Sequence, residues 1–181
     1  GGVKLEKAIL EFNLNCNLII ALDIGASTGG FTDVLLARGA KKIYAVDVGY
    51  GQLDWRLRQN ERVIVKEKTN ARFLTDQIIK DPLDAIVCDA SFISLKKVLP
   101  SGLSLLKTKG WLAALIKPQF EVGKGLVGKG GVVRDPELHQ EVVADIKNWL
   151  QHDMNMYLSG VVESPILGPS GNKEFVIVAN K

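Results

Sequence analysis

Two stretches of the sequence have the residue types and spacing of a nucleoside-binding site. The first is a glycine-rich loop, Asp23-Ile-Gly-Ala-Ser-Thr-Gly-Gly-Phe31, which follows a short apolar run. Glycines let a backbone approach a ligand closely and leave amide donors free at the start of a helix. The second is Asp47, which ends the next apolar run, 22 residues after Gly25. A carboxylate at that place can accept hydrogen bonds from both hydroxyls of a ribose.

Three classes of ligand compete for such a loop. A phosphate-binding loop has the spacing of Gly25 and Gly30 but requires a lysine where this chain has Phe31, which excludes nucleotide hydrolysis here. A dinucleotide loop requires Gly-x-Gly-x-x-Gly, and this loop lacks that register. The third class is S-adenosylmethionine, whose loop is looser and often begins with an acid. Asp47 does not separate the second class from the third, and a purely structural turn with a helix cap is a further alternative.

Four charged residues have positions suited to proton transfer. Asp89 and Lys117 end the fourth and fifth predicted strands, and the carboxyl ends of such strands face the same crevice as the glycine loop. Glu174 opens the last predicted strand, which we expect beside the fifth, and Lys4 lies near the start of the chain, where it can reach over the site. Two lysines and two carboxylates can form a charge-balanced, hydrogen-bonded set. Taken singly, each is more commonly a surface or salt-bridged residue than a catalyst.

Apolar runs and turn residues predict the elements that must position these groups. The predicted strands span residues 18–23, 42–47, 62–66, 83–89, 111–117, 157–162 and 174–179, and the predicted helices span residues 29–38, 52–59, 95–106 and 135–152. Their alternation predicts an α/β doubly wound sheet with helices on both faces. Residues 163–173 are too few for a crossover with its own helix, so we expect the last two strands to be antiparallel. We expect residues 1–17 to form a linker or helix across the sheet edge, ahead of a single domain over residues 18–181.

Composition excludes several classes of protein. The chain has 181 residues, of which 46% are hydrophobic and 24% charged, as in one globular domain. No apolar run is long enough to span a membrane, and no basic-then-apolar leader opens the chain. Cys16 and Cys88 are too few for a disulfide framework, so we expect a cytoplasmic protein. No Cys and His cluster indicates a metal site, and we expect His139 and His152 to be solvated positions on a helix.

Positive charge is concentrated in one segment. The net charge is only +3, but residues 91–134 contain eight basic residues and one acid. Such a segment suggests a polyanionic partner, although a solvated lysine-rich surface is an equal alternative. The segment includes a glycine tract over residues 123–131, which we interpret as a mobile basic lid.

Six segments together carry a resemblance to a known family: DIGASTGGFTDVLL, AVDVGYGQL, CDASFISL, IKPQFE, GKGGVVRD and GPSGNKEF. Their combination resembles the TlyA (hemolysin A-like) family of ribosomal RNA 2′-O-methyltransferases, whose methyltransferase domain is related to the FtsJ heat-shock methyltransferases. The resemblance implies a Rossmann-like class I fold, with a mostly parallel seven-stranded sheet and an antiparallel last strand. It also implies S-adenosyl-L-methionine as the cofactor and ribosomal RNA or ribosomal subunits as the partner. In this family a small RNA-binding domain precedes a Gly-Gly-x-Lys linker motif that resembles residues 1–4, and we expect that domain to be absent here.

The resemblance also implies a role for each site residue. The family's catalytic set falls on Lys4, Asp89, Lys117 and Glu174. Its cofactor contacts fall on Asp23, Gly25, Ala26, Ser27, Thr28, Gly29, Gly30, Phe31, Asp47, Asn70 and Asp89. In the implied reaction the ribose 2′-oxygen attacks the sulfonium methyl group in line. We predict that Lys117 polarises or deprotonates the 2′-hydroxyl, that Asp89 and Glu174 position Lys117, and that Lys4 holds the target ribose or phosphate.

Several other functions compete with this one. They are a membrane-active hemolysin, a non-catalytic cofactor-binding or RNA-binding module, and an oxidoreductase with a nicotinamide cofactor. A methyltransferase acting on base nitrogens is less favoured, since those enzymes commonly carry Asp/Asn-Pro-Pro-Tyr after the fourth strand, where this chain has Asp89-Ala-Ser-Phe92.

Overall fold

A computed structural model describes residues 1–181 and contains one seven-stranded sheet. Its strands are β1 Ile20–Ile24, β2 Lys42–Val46, β3 Val63–Lys66, β4 Leu83–Cys88, β5 Leu106–Ile116, β6 Tyr157–Glu163 and β7 Phe175–Asn180. Their order across the sheet is β3-β2-β1-β4-β5-β7-β6. The first five strands pair in parallel, whereas β7 is antiparallel to both of its neighbours, β5 and β6. The predicted mostly parallel sheet with an antiparallel last strand is therefore confirmed.

Helices connect the strands and cover both faces of the sheet. They are α1 Gly2–Phe12, α2 Gly30–Ala37, α3 Trp55–Arg58, α4 Leu95–Val98, α5 Pro100–Leu103, α6 Pro118–Glu121 and α7 Pro136–Asn148. A π-helical turn, Trp149–Asp153, extends α7, and short 3-10 turns lie at Ala71–Phe73, Lys124–Leu126, Lys129–Gly131 and Pro169–Gly171. No helix combines the length and apolar character needed to cross a membrane.

Alternating side chains divide the core into two apolar layers. Leu22 and Ile24 of β1 belong to the layer that also contains residues of α4, α5 and α7, whereas Ala21 belongs to the layer of α1, α2 and α3. The second layer takes one alanine from each of the four strands β1, β2, β4 and β5: Ala21, Ala45, Ala85 and Ala113. These small side chains leave room for the helices to pack closely.

The first helix lies on a face of the sheet and not across its edge, contrary to our expectation. Leu5, Ala8 and Ile9 of α1 are buried in the second layer, together with residues of the central strands. The spacing of these apolar residues places them on one side of the helix. An edge position would have left that side exposed.

The predicted helix over residues 95–106 is also different in the structure. It is interrupted at Leu99, before Pro100, and the second part ends at Leu103. Proline lacks the N–H group that continues a helix ladder, which explains the interruption. The following strand begins at Leu106, five residues earlier than Trp111, because Leu106 pairs with Leu83 of β4 before a register shift.

The prediction that His139 is solvated is wrong, while His152 is exposed as predicted. His139 precedes the buried residues Val142, Val143 and Ile146 by three, four and seven positions, which places all four on one side of α7. Its Nε2 atom lies 2.7 Å from the carbonyl oxygen of Val133. The imidazole therefore satisfies a buried backbone group at the end of the glycine tract.

Candidate active site

The glycine loop runs from the end of β1 to the start of α2 and lies against the ends of two neighbouring strands. The amides of Gly25 and Ala26 both donate to the carbonyl oxygen of Val46, at 2.9 and 3.0 Å. Gly25 has φ +77°, and a Cβ atom at this position would lie 2.5 Å from the carbonyl oxygen of Asp89. Only glycine combines that backbone conformation with so close an approach.

Asp47 follows β2 and is held in place by backbone amides. Its Oδ2 atom accepts a hydrogen bond from the amide of Ser27 at 2.6 Å, and its Oδ1 atom accepts one from the amide of Gly49 at 2.8 Å. Each carboxylate oxygen can accept two hydrogen bonds, so both retain capacity for a ligand hydroxyl. The carboxylate lines a cavity of about 330 Å³, the main cavity.

The main cavity combines apolar walls with a few polar groups. Asn70 lines it, and the Oδ1 atom of this residue accepts a hydrogen bond from the amide of Arg72 at 3.0 Å, which orients the side chain. The cavity is also lined by residues that sequence reasoning missed: Val48, Gln52, Thr69, Ala71, Ser91, Phe92, Ile93 and Val98. Ile93 and Val98 are ordinary apolar residues, and no local motif marks them as ligand contacts.

A second, smaller cavity of about 190 Å³ adjoins the main cavity and is here named the loop cavity. The two cavities share Gly25, Ser27 and Asp89. Four further predicted cofactor contacts line the loop cavity: Ala26, Thr28, Gly30 and Phe31. Residues of the glycine loop therefore border two compartments, of which Asp47 lines the main cavity and Asp89 lines both.

Two of the predicted cofactor contacts, Asp23 and Gly29, line neither cavity. Gly29 has φ +104° and packs against Leu53 and Leu57, beside a separate groove of about 480 Å³ between α2 and α3. That groove is larger, but neither Asp47 nor Asp89 lines it. Gly29 therefore shapes the loop from its far side.

Asp23 is fully buried beneath the loop. Its Oδ2 atom accepts a hydrogen bond from the Thr32 hydroxyl at 2.7 Å, and its Oδ1 atom has no partner. Burial raises the pKa of Asp23 to about 7, and the nearby carboxylates of Asp89 and Asp47 add to the increase, against the opposing effect of Thr32. Asp23 thus contacts the first turn of α2 through its hydrogen bond with Thr32.

Replacing Asp23 by asparagine should make stability less dependent on pH. An unfolded aspartate loses its proton at about pH 4, whereas folded Asp23 keeps its proton up to a pKa of about 7. Between these values the folded state binds more protons, so the contribution of Asp23 to stability falls as the pH rises. Asparagine keeps the acceptor for Thr32 and cannot ionise. We expect the Tm of Asp23→Asn, relative to the unaltered chain, to increase from about pH 4 to about pH 7 and to level off at higher pH; a constant difference across this range would contradict the buried, raised pKa.

The predicted catalytic lysine lies at the junction of β5 and α6. The Nζ atom of Lys117 is 2.5 Å from Oδ1 of Asp89 and donates to the hydroxyl of Ser91 at 3.0 Å. Lys117 is buried, and Pro118 begins α6 directly after it. Asp89 lines the main and loop cavities, so the ion pair places the ammonium group beside the predicted cofactor site.

The other two predicted catalytic residues form their own ion pair. Nζ of Lys4 is 2.6 Å from Oε1 of Glu174, and both side chains are buried. Oε2 of Glu174 has no partner, and Gly168 packs so closely against it that a Cβ atom there would lie 1.9 Å away. We expected Glu174 to position Lys117, but no ion pair or hydrogen bond joins these two residues.

A third cavity of about 290 Å³, the lysine cavity, lies on the other side of Lys117. Its wall includes Ser91 and Phe92, which it shares with the main cavity. Phe92 is 89% exposed and has φ +64°, a strained conformation for an aromatic residue. Its ring centroid lies 4.9 Å from that of Phe120. An exposed aromatic ring is thus held at the entrance to both cavities.

The glycine tract forms one wall of the lysine cavity and is anchored by a side chain from the β6–β7 loop. The amide of Val133 donates to Oδ1 of Asn172 at 2.9 Å, and Nδ2 of Asn172 donates to the carbonyl oxygen of Gly131 at 2.9 Å. Asn172 is buried and lines the same cavity. The lid is therefore fixed at its carboxyl end by Asn172, which lies two residues before Glu174 in the chain.

The basic segment does not form a single surface. Lys107 and Lys109 lie at the amino end of β5, and eight residues of extended strand place Lys109 about 25 Å from Lys117. Lys107 pairs there with Asp84 at 2.8 Å. Lys124 and Lys129 belong to the lid, on the side of the lysine cavity. Both are exposed, and neither forms an ion pair. Only part of the basic segment over residues 91–134 thus borders the site.

The amino-acid sequence is similar to one protein family and to individual relatives of known name. The sequence profile of the FtsJ-like methyltransferase family matches residues 1–181. The 16S/23S rRNA (cytidine-2′-O)-methyltransferase TlyA of Mycobacterium tuberculosis is 48% identical over 177 residues, which cover 98% of this chain and 66% of TlyA. YqxC of Bacillus subtilis, assigned as an rRNA methyltransferase, is 47% identical over 178 residues, which cover 98% of this chain and 63% of YqxC. The chain therefore spans slightly less than two thirds of the length of these relatives.

A solved structure agrees closely with the fold. The crystal structure of a protein from Lactococcus lactis assigned as a hemolysin superimposes with a TM-score of 0.96 and 44% identity, covering 100% of this chain and 86% of that one. The similarity includes every strand described above, because the whole chain is covered.

Proposed function

Because the chain belongs to the FtsJ-like methyltransferase family, we propose that it transfers the methyl group of S-adenosylmethionine to a ribose 2′-hydroxyl of ribosomal RNA. The predicted Rossmann-like methyltransferase fold is confirmed by this membership and by the sheet order. The observation that carries the proposal is the Lys117–Asp89 ion pair at 2.5 Å, which lies between the main cavity and the lysine cavity. It offers one proton-handling group between two compartments suited to a cofactor and a substrate.

The residues present fit S-adenosylmethionine. Asp47 presents a fixed carboxylate for two ribose hydroxyls, and Ile93 and Val98 offer an apolar surface to an adenine ring. Asn70 lies in the same cavity, and the loop cavity has room for the amino acid part. When bound, this cofactor supplies an electrophilic methyl group on a positively charged sulfur.

Lys117 is the group that acts on the target hydroxyl in this proposal. A lysine ammonium has three donors, and Asp89 and Ser91 occupy two of them. The third can donate to a ribose 2′-oxygen in the lysine cavity and polarise its hydroxyl. If Lys117 instead deprotonates the hydroxyl, the side chain must enter the step as the neutral amine, whose lone pair takes up the proton. Asp89 keeps the side chain in one orientation, which favours a near-attack geometry.

Lys4 and Glu174 have a supporting role in the proposed site. Their ion pair joins α1 to the start of β7, over a separation of 170 residues in the chain. The free Oε2 atom of Glu174 can accept one further hydrogen bond. We propose that this pair secures the site wall and that Lys4 holds a ribose or phosphate when a substrate enters.

The substrate side of the site has features suited to RNA. The exposed ring of Phe92 can stack on a base that has left its helix, a contact worth about 1–3 kcal/mol. Lys124 and Lys129 of the lid can contact phosphates. TlyA carries cytidine in its name, and we propose a cytidine of ribosomal RNA as the target here, with the cytoplasm as the place of action.

Methyl transfer to ribosomal subunits tests the proposal directly. The protein would be incubated with tritium-labelled S-adenosylmethionine and with purified small or large subunits, and the modified nucleotide would then be mapped. We expect label on a ribose of one or both subunits. Binding of the cofactor without transfer would favour the non-catalytic alternative, and leakage of liposomes by the purified protein would favour the hemolysin alternative.

Binding of the RNA should depend strongly on salt. Contacts between lysines and phosphates release counterions, so affinity falls as salt rises. Replacing both Lys124 and Lys129 by alanine should reduce the slope of log affinity against log salt concentration by about 1 to 2. The double replacement of Lys107 and Lys109 removes the same charge at the other end of the sheet and should leave the slope almost unchanged. Equal slopes for the two variants would remove the lid from the RNA interface.

A further inference from the structure

Two segments that carry the proposed reaction contact each other at several points. The first, residues 89–95, is the acid loop after β4, and the second, residues 117–121, is the lysine turn after β5. Near the cavities they are joined by the Asp89–Lys117 ion pair and by the contact between the rings of Phe92 and Phe120, whose planes are inclined at 51°. These contacts set where the ammonium group lies.

A further contact closes the far end of this interface. Oε2 of Glu121 accepts a hydrogen bond from the hydroxyl of Ser94 at 2.6 Å, and Oε1 accepts one from the amide of Leu95 at 2.8 Å. Glu121 is the last residue of the single-turn helix α6, which begins directly after Lys117, and the amide of Phe120 donates to the carbonyl oxygen of Lys117 at 2.9 Å. One carboxylate thus spans the gap between the two segments.

The environment of Glu121 is unusual for a helix-capping carboxylate. Burial raises its pKa, and the hydrogen bonds from Ser94 and Leu95 only partly oppose this effect. Glu121 comes from a different segment than the helix it caps, 26 residues away from Leu95 in the chain. Its side chain lines neither the main cavity nor the lysine cavity. A partly buried carboxylate that lines neither cavity can affect the reaction only through the groups that it contacts.

We infer that Glu121 is a positioning residue for methyl transfer: it clamps the acid loop to the lysine turn and so keeps Lys117 aligned with Asp89. This inference rests on the proposed function. Loss of the clamp would let the two segments shift relative to each other. A misplacement of about 1 Å at reacting groups can reduce a rate about 100-fold, even when binding is unaffected.

Three variants separate this role from simple helix capping. Glu121→Ala removes both acceptors, and we expect kcat for transfer to ribosomal subunits to fall about 10- to 100-fold, with unchanged KM for the RNA and unchanged affinity for S-adenosylmethionine. Glu121→Gln keeps an acceptor for Leu95, and its amide can donate to the Ser94 oxygen, so kcat should stay within about threefold of the original. Asp84→Ala is the matched control, because Asp84 also accepts from a backbone amide and a side chain, those of Ile20 and Lys107.

The outcomes distinguish the possible failures. Each variant would be assayed well below its Tm, so that a loss of stability alone leaves kcat unchanged. A normal kcat in Glu121→Ala, or an equal fall in Asp84→Ala, would overturn the positioning role. If Glu121→Ala does not fold, Glu121→Gln decides the question. A kcat within about threefold of the original supports the positioning role through hydrogen bonds, and a larger fall contradicts it. Absence of transfer by the unaltered protein would instead contradict the proposed function.

Discussion

Replacing Lys117 by alanine is expected to reduce methyl transfer to ribosomal subunits about 100- to 10,000-fold, which is the contribution of a positioned proton-handling group. Binding of S-adenosylmethionine should change little, because Lys117 lines the lysine cavity and not the main cavity. Single-turnover transfer of a labelled methyl group and equilibrium binding of the cofactor are the two measurements. Loss of transfer together with retained binding would place Lys117 in the chemical step.

Two further variants make this experiment specific. Lys107→Ala removes another ion-paired lysine, bonded to Asp84 at the opposite end of the sheet, and should keep transfer near normal. Lys117→Arg keeps a positive charge but cannot give up a proton at neutral pH. Substantial activity in Lys117→Arg would support polarisation of the 2′-hydroxyl, and its absence would support deprotonation. Normal turnover by Lys117→Ala would remove this residue from the mechanism.

Replacing Asp47 by alanine is expected to weaken S-adenosylmethionine binding at least about 100-fold. The carboxylate offers acceptors to two ribose hydroxyls, and each hydrogen bond to a charged group contributes about 1.5–3 kcal/mol. The change also removes the acceptors for the amides of Ser27 and Gly49, which leaves the glycine loop less ordered. Isothermal titration with the cofactor gives the affinity directly.

The matched control for Asp47 is Asp33→Ala. Asp33 lies in the first turn of α2, close to the same loop, but faces the separate groove between α2 and α3. The Asp33→Ala replacement removes an equal charge and should leave cofactor affinity within about twofold of the original, as expected for an exposed charge. Equal losses in the two variants would mean that net charge, and not ribose recognition, governs binding.

Local rules were sufficient for the framework of the site. The amino-acid sequence by itself located Asp89 and Lys117 at the ends of adjacent parallel strands, and such ends meet at one edge of a sheet. It also located Gly25 in the turn that follows the first strand, and Asp47 as a carboxylate at the end of β2. These inferences succeeded because strand periodicity and glycine conformation depend on nearby residues.

Only the tertiary structure decided which side chains meet. We expected Glu174 to position Lys117, but Glu174 pairs with Lys4, 170 residues away, and Glu121 reaches Ser94 across the two loops. No local pattern contains such partners, because they depend on how separate segments pack. The burial of Asp23 could not be predicted from the sequence either. This residue has the type of a ligand contact but lies beneath the loop, because the layer that covers it comes from α1 and α2.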